Sequence, residues 1–202
     1  MLLVVEKMKE INIALELYKS PKKVFSVHEL SLMFAGIDYK NLKRRLSYLV
    51  KSGKLKRLRR GVLAKDDYNI REVVNKIYKP SYISLETVLA KKGLIFQSYE
   101  SVFAVSYVNR QIEIDGRKIV YRRLKESVLV NSLGIRTDGF WAVASKERAF
   151  LDTIYVYKNY HIDNLAVLDW DRVFEILEIY KNHSFVRRIN SYYKLYKEEN
   201  VR

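Results

Sequence analysis

The 202-residue chain has no cysteine, two prolines and seven glycines. Without cysteine there can be no disulfide, thiol nucleophile or thiolate zinc site, which fits a reducing compartment. With so little proline and glycine there is no Pro/Gly-rich linker, so two domains, if present, are closely joined. Long apolar runs are missing as well: none approaches the roughly 18 residues that span a bilayer. The opening MLLVVEKMKE meets charged residues after five positions, unlike a secretory signal. These absences lead to the expectation of a soluble, cytoplasmic protein. Neither an internal repeat nor a low-complexity tract is evident.

One absence is local. Residues 40–61, KNLKRRLSYLVKSGKLKRLRRG, hold ten lysines and arginines and no aspartate or glutamate. They contribute +10 to a formal net charge of +15, leaving +5 for the rest of the chain. Basicity concentrated in this way implies a local partner rather than general solubility. The 49% hydrophobic content is enough to fill a core, so most of the chain is expected to be ordered.

Helical phase divides the N-terminal third. Val4, Met8, Ile11, Leu15 and Tyr18 recur at alternating spacings of four and three, predicting one stripe of a helix that runs to about Lys19, before Pro21. After the apolar pair Val24 and Phe25, Ser26 and Glu29 form a capping box for a second helix, with Leu30, Met33 and Phe34 inward and Gly36 at its end. Asp38 can cap a third helix reaching about Lys51, with Gly53 just past its end. At about 100° per residue, Leu42, Leu46, Leu49 and Val50 share one arc, and Asn41, Arg44, Ser47, Tyr48 and Lys51 lie opposite. KLKRLRRGVLAK then reads as two short strands joined around Arg60 and Gly61.

Helix, strand, helix, turn, helix and basic hairpin is the order of a winged helix-turn-helix, expected over residues 1–67. Lys40, Asn41, Lys43, Arg44, Arg45, Tyr48 and Lys51 on the third helix, with Lys54, Lys56, Arg57, Arg59 and Arg60 of the hairpin region, are the expected DNA-binding residues. Arginine can grip a guanine edge with two hydrogen bonds and asparagine an adenine edge, whereas lysines chiefly neutralise phosphate. Inverted-repeat DNA would then be met either by a dimer or by two monomers side by side. The alternative is a non-catalytic module that contacts RNA or an acidic protein through the same basic unit and the C-terminal helices. A membrane-surface helix is disfavoured because the leucines are needed for the small domain's core.

Residues 68–202 are expected to form an α+β domain. A short helix over 70–78 precedes PSYISLETVLAKKGLI, where Ser84 is the expected cap of a helix from about Ser84 to Lys92 and Gly93 its stop. The Asp115–Gly116 and Asp138–Gly139 pairs predict hairpins in a small, mainly antiparallel sheet. Ser145 caps a further helix, and two more follow, from about Asp169 to Tyr180 and from about Ser184 to Lys197. Phe185, Ile189, Tyr192, Tyr193 and Tyr196 form a helical stripe that reads as core or interface rather than as a base-stacking platform.

The basic unit ending near RRGV, followed by PSYISLETVLAKKGLI and later by AVASKERAFLDTIY, resembles the AbiEi-type antitoxins of abortive-infection and type IV toxin–antitoxin systems over about residues 5–157. Pro80, Ser81, Tyr82, Ile83, Ser84, Gly93, Leu94, Glu147, Ala149, Leu151 and Asp152 carry the resemblance. Family members usually have proline, glutamate and lysine where this chain has Lys146, Glu147 and Arg148, and tyrosine at the position of Leu63. The resemblance implies a repressor that binds inverted repeats in its own promoter, and a C-terminal domain that counteracts a nucleotidyltransferase-like toxin.

Signals for catalysis are sparse. Asp169 and Asp171 form a D-x-D, but no Gly-Ser stands shortly upstream, and a helix cap followed by a first-turn acid accounts for both. His28, His161 and His183 are scattered, and phosphate-loop and nucleophile-elbow motifs are absent. The expectation is a protein without enzymatic activity, metal or cofactor.

Overall fold

The computed structural model describes residues 12–200, a mixed α+β chain that divides into two compact units between Tyr68 and Asn69.

In the N-terminal unit, α1 (Ile13–Lys19) begins where the Asn12 side chain accepts the Leu15 N–H at 3.1 Å. It is followed by β1 (Val24–Ser26), α2 (Val27–Met33), α3 (Tyr39–Lys51), β2 (Lys56–Arg59) and β3 (Val62–Ala64). The Ser26–Glu29 capping box closes reciprocally: the Glu29 N–H donates to Ser26 Oγ at 3.1 Å, and the Ser26 N–H to Glu29 Oε2 at 3.0 Å. The strands form an antiparallel sheet in the order β1-β3-β2. Ile13, Leu17, Phe25, Leu30, Phe34, Leu42, Leu46, Leu49, Leu55 and Leu63 make one apolar core under it.

The structure shows which side of α1 turns inward, and it departs from expectation on α2. On α1 the buried residues are Ile13 and Leu17, while Leu15 is 47% and Tyr18 82% exposed. Both faces of this helix are apolar, and periodicity alone does not say which one turns inward. Val4, Met8 and Ile11 lie outside the described residues. On α2, Met33 is 51% exposed, because Leu30 and Phe34, one turn apart on the same line, already fill the space against the core. The helix ends at Met33, ahead of Gly36.

The C-terminal unit contains α4 (Ile70–Ile77), β4 (Ser81–Ile83), α5 (Glu86–Lys91), β5 (Val102–Ser106), β6 (Arg110–Ile114), β7 (Arg117–Arg123), α6 (Glu126–Leu129), β8 (Ile135–Asp138), β9 (Trp141–Ala144), α7 (Lys146–Tyr157), α8 (Trp170–Leu177) and α9 (His183–Asn200). The six strands pair in the order β6-β7-β5-β4-β9-β8. Pairing is antiparallel for β6/β7, β4/β5 and β8/β9, and parallel for β5/β7 and β4/β9, so the sheet is more mixed than an antiparallel one. β5 shows why: it is a nearly continuous buried run, as expected of a central strand covered on both faces.

Asp115 and Gly116 both have positive φ, 49° and 74°, and join β6 to β7 as a two-residue turn. Ser145 caps α7 by accepting the Arg148 N–H at 3.2 Å, and Asp169 caps α8 by accepting the Arg172 N–H at 3.1 Å. Ser84 does not cap α5. The residue before that helix is Leu85, at φ 55° with no side-chain cap, and Ser84 is turned into the interior.

Candidate nucleic-acid interface

α3 is amphipathic for a local reason. Asp38 accepts the Asn41 N–H at 3.0 Å and sets the start, and Gly53 at φ 72° lets the chain leave after Lys51. Between these ends, Leu42, Leu46 and Leu49 face the core. Lys40, Lys43, Arg44, Tyr48 and Lys51 are exposed, and Asn41 and Arg45 are half-buried. Arg44 Nη2 donates to Asn41 Oδ1 at 3.2 Å, so these two side chains hold each other across one turn. Lys43 Nζ stands 4.8 Å from the ring centre of exposed Tyr39, a residue that the spacing had not singled out although it lies four positions away.

The hairpin turns at Arg60 and Gly61, where Gly61 takes φ 80°. Arg57 pairs with Leu63 and Arg59 with Val62, with a register shift between the two arginines. Such a bulge twists the strand and re-aims its side chains. Lys54, Lys56, Arg57, Arg59 and Arg60 are all exposed. Lys56 forms a surface ion pair with Asp66 at 3.6 Å, a contact worth little in water. Leu63 is buried between the neighbouring strands, so it belongs to the core and not to the hairpin tip. The predicted basic residues thus occupy one helix face and the hairpin that follows it, backed by leucines.

A second constellation lies in the C-terminal unit and is fully buried. Arg148 and Asp152, one turn apart on α7, pair through Nε and Oδ1 at 3.2 Å. The hydroxyls of Tyr82, Ser84 and Tyr180 also donate to Asp152, at 3.0, 2.8 and 2.6 Å. Arg148 Nη2 donates to the Tyr82 hydroxyl and the Val128 carbonyl, both at 2.7 Å, and Nη1 to the Leu133 carbonyl at 2.7 Å. Burial, followed by the Asp152 charge, pushes the ionisation of Tyr82 and Tyr180 well above the usual tyrosine range. Burial works against the Arg148 charge, yet Asp152 and the two tyrosines more than restore it. Every strong donor and acceptor is matched, so the cluster works as an internal clamp between β4, α7 and the segment after α8. The sequence had offered Tyr82, Ser84 and Asp152 through the resemblance, but nothing in the spacing tied Arg148 or Tyr180 to them.

Gly134 makes room for the clamp. Its φ is 75°, and a Cβ there would come within 2.9 Å of both Arg148 Cβ and Ile176 Cδ1. Glu86, at the start of α5, has less support: its Oε2 is buried without a hydrogen-bond partner, and burial raises its pKa while Tyr157 and Arg122 pull the other way.

The remaining candidates do not converge. Asp169 is engaged as a cap, and Asp171 is an exposed first-turn acid. His161 contacts Asp163 at 3.3 Å, and His28 and His183 are exposed. Among the described residues, no group of three or more histidines, aspartates and glutamates is arranged to hold a metal ion, and no helix is long and apolar enough to cross a membrane. On the C-terminal stripe, Phe185 and Ile189 are buried, and Tyr193 and Tyr196 lie 5.0 and 5.4 Å from Trp170, within an aromatic cluster. In comparison with known proteins, no family model and no curated protein matches this chain.

Proposed function

We propose that the N-terminal unit is a winged helix-turn-helix that binds double-stranded DNA, and that the chain is a cytoplasmic repressor of its own operon. The observation carrying this reading is the exposed Lys40, Lys43, Arg44, Tyr48 and Lys51 face of α3, with Arg57, Arg59 and Arg60 on the hairpin after it. Thirteen residues of helix are about 20 Å long, enough to lie in a major groove about 12 Å wide. In this arrangement Arg44 and Asn41 exchange their mutual hydrogen bond for base edges, and the hairpin arginines hold phosphates.

We further propose that the chain is an antitoxin that counteracts a nucleotidyltransferase-like toxin, as its resemblance to the AbiEi-type family suggests. Tyr82, Ser84 and Asp152, which carry that resemblance, meet in one buried cluster, and this supports treating them as a unit. The C-terminal unit then supplies the antitoxic activity.

Gel-shift titration against the DNA upstream of its own gene, with scrambled duplex as competitor, tests the repressor reading. Preferential binding to the upstream DNA is expected, and equal affinity for both duplexes would defeat it. Co-expression with the product of a neighbouring nucleotidyltransferase gene tests the second part: growth is restored by the full chain, and failure to restore it removes the antitoxin role.

A further inference from the structure

Two tyrosines of α3 are exposed, Tyr39 at 52% and Tyr48 at 67%, and they differ in place. At 100° per residue, Tyr39 falls about 50° from the mean direction of Leu42, Leu46 and Leu49, close to the core side. Its ring already carries Lys43 Nζ at 4.8 Å. Tyr48 falls about 130° from the leucines, on the outward side and one turn after Arg44.

Asn41, Arg44, Tyr48 and Lys51 follow at spacings of 3, 4 and 3 and fit within an arc of about 80°, so they form one stripe along the helix. Its chemistry changes from end to end: an amide, a guanidinium, an aromatic ring and an ammonium. The first two match base edges and the last matches phosphate. The ring has a different match. In the major groove the apolar group on offer is the C5-methyl of thymine, and the other features of the base edges are hydrogen-bond donors or acceptors.

Helix rise fixes the spacing. Arg44 stands about 4.5 Å and Tyr48 about 10.5 Å beyond Asn41 along the axis. Base pairs rise about 3.4 Å, so these offsets are about one and about three base steps for a helix lying along the groove. Arg44 and Asn41 already touch at 3.2 Å in the free chain, which suits them to neighbouring pairs.

Resting on the reading of α3 as the recognition helix, we infer that Tyr48 is a specificity-determining residue for thymine. Its ring packs on a C5-methyl about three base steps from the adenine taken by Asn41 and about two from the guanine taken by Arg44. The half-site is then a chemical pattern: an adenine pair, a guanine pair, a pair that the stripe skips, and a thymine methyl.

Fluorescence-anisotropy titration of the full chain against duplex DNA from upstream of its own gene tests the inference. Each thymine in turn is replaced by uracil, which lacks only the methyl group, and each guanine by the deaza analogue that lacks the N7 acceptor. The natural chain is expected to lose about fourfold in affinity at one thymine of each half-site, the contribution of about one buried methyl group. Tyr48→Ala binds the thymine and uracil duplexes alike at that position, whereas Tyr48→Phe, which keeps the ring, behaves as the natural chain does. That thymine lies about two pairs from the guanine at which Arg44→Ala no longer responds to loss of N7. Both positions are exposed, so circular dichroism of the variants stays unchanged. Tyr48→Phe binding as weakly as Tyr48→Ala would give the hydroxyl a phosphate instead and overturn the inference. So would preferential binding to the upstream duplex with no thymine whose replacement Tyr48→Ala masks. Both outcomes leave the repressor standing, whereas equal affinity for upstream and scrambled duplexes removes the repressor and the thymine contact together.

Discussion

In the N-terminal unit the buried core is built from leucine, isoleucine and phenylalanine side chains, and the charges lie at its surface. In the C-terminal unit Glu72, Glu86, Glu147, Arg148 and Asp152 are buried, along with Ser84, Ser106 and Thr153. The first unit therefore keeps the lysines and arginines of α3 and the β2–β3 hairpin out of its core, at or near the surface. The second turns charge inward, where each group must be matched or is costly. A surface charge can be altered in one unit with little effect on its fold, whereas a buried charge in the other cannot.

The sharpest break in that contrast is at Asp152. Asp152→Ala strands the Arg148 guanidinium in the interior and is expected to cost about 3–5 kcal/mol. Near-ultraviolet circular dichroism in urea should show the C-terminal transition moving to much lower denaturant while the N-terminal one stays. Replacing both partners, Arg148→Met with Asp152→Leu, should cost less than the two single changes added together, because no unpaired charge remains. Strict additivity would mean that the two residues do not act as a pair. Gly134→Ala probes the same clamp sterically: positive φ and the close approach to Arg148 predict a loss of about 1–3 kcal/mol.

In the N-terminal unit the corresponding substitutions should leave stability almost unchanged and alter binding. Arg44→Ala is expected to relax sequence preference by about 1–3 kcal/mol at one base position, with urea denaturation unaffected. Lys54→Ala should weaken binding to every duplex alike and reduce the salt slope by about one. Measured side by side in fluorescence-anisotropy titrations over a salt series, identical behaviour of the two variants would remove the division between reading and anchoring.

How far each region could be read from sequence follows the same contrast. The Ser26–Glu29 box, the Asp38, Ser145 and Asp169 caps and the Asp115–Gly116 turn are local chemistry, complete within a few residues, and each stands where the spacing put it. Ser84 looked like a cap because a serine shortly before a first turn that holds a glutamate, here Glu86, usually is one. Its actual partner, Asp152, is 68 residues away and lies on an element whose direction the sequence does not encode. The parallel pairing of β5 with β7 was hidden in the same way: a two-residue turn predicts its own hairpin but not which neighbour the second strand takes on its other side. On α1 the spacing marked one apolar stripe without saying which side turns inward, and it is Ile13 and Leu17 that are buried while Leu15 and Tyr18 are exposed. Of the basic face, membership was legible from helical phase, whereas the contact between Asn41 and Arg44 and the stacking of Lys43 on Tyr39 needed coordinates.

Glu86 gives the smallest effect and tests whether every inward charge in the C-terminal unit is well matched. Its pKa in the folded chain is raised above the ordinary carboxylate range, mainly by burial. Between the unfolded and folded pKa values the native state therefore binds more protons than the unfolded chain, so stability falls as pH rises through that window. Above it the penalty is fully present. Glu86→Gln removes the titration and should be as stable as the natural chain or slightly more so at neutral pH, while showing less loss of stability as pH rises from acidic to neutral. Urea midpoints measured across that range would decide it. A variant that is clearly less stable at neutral pH would mean that the Glu86 carboxylate is held by Tyr157 and Arg122 as firmly as Asp152 is by its own partners, and that the C-terminal unit has no poorly matched charge at this position.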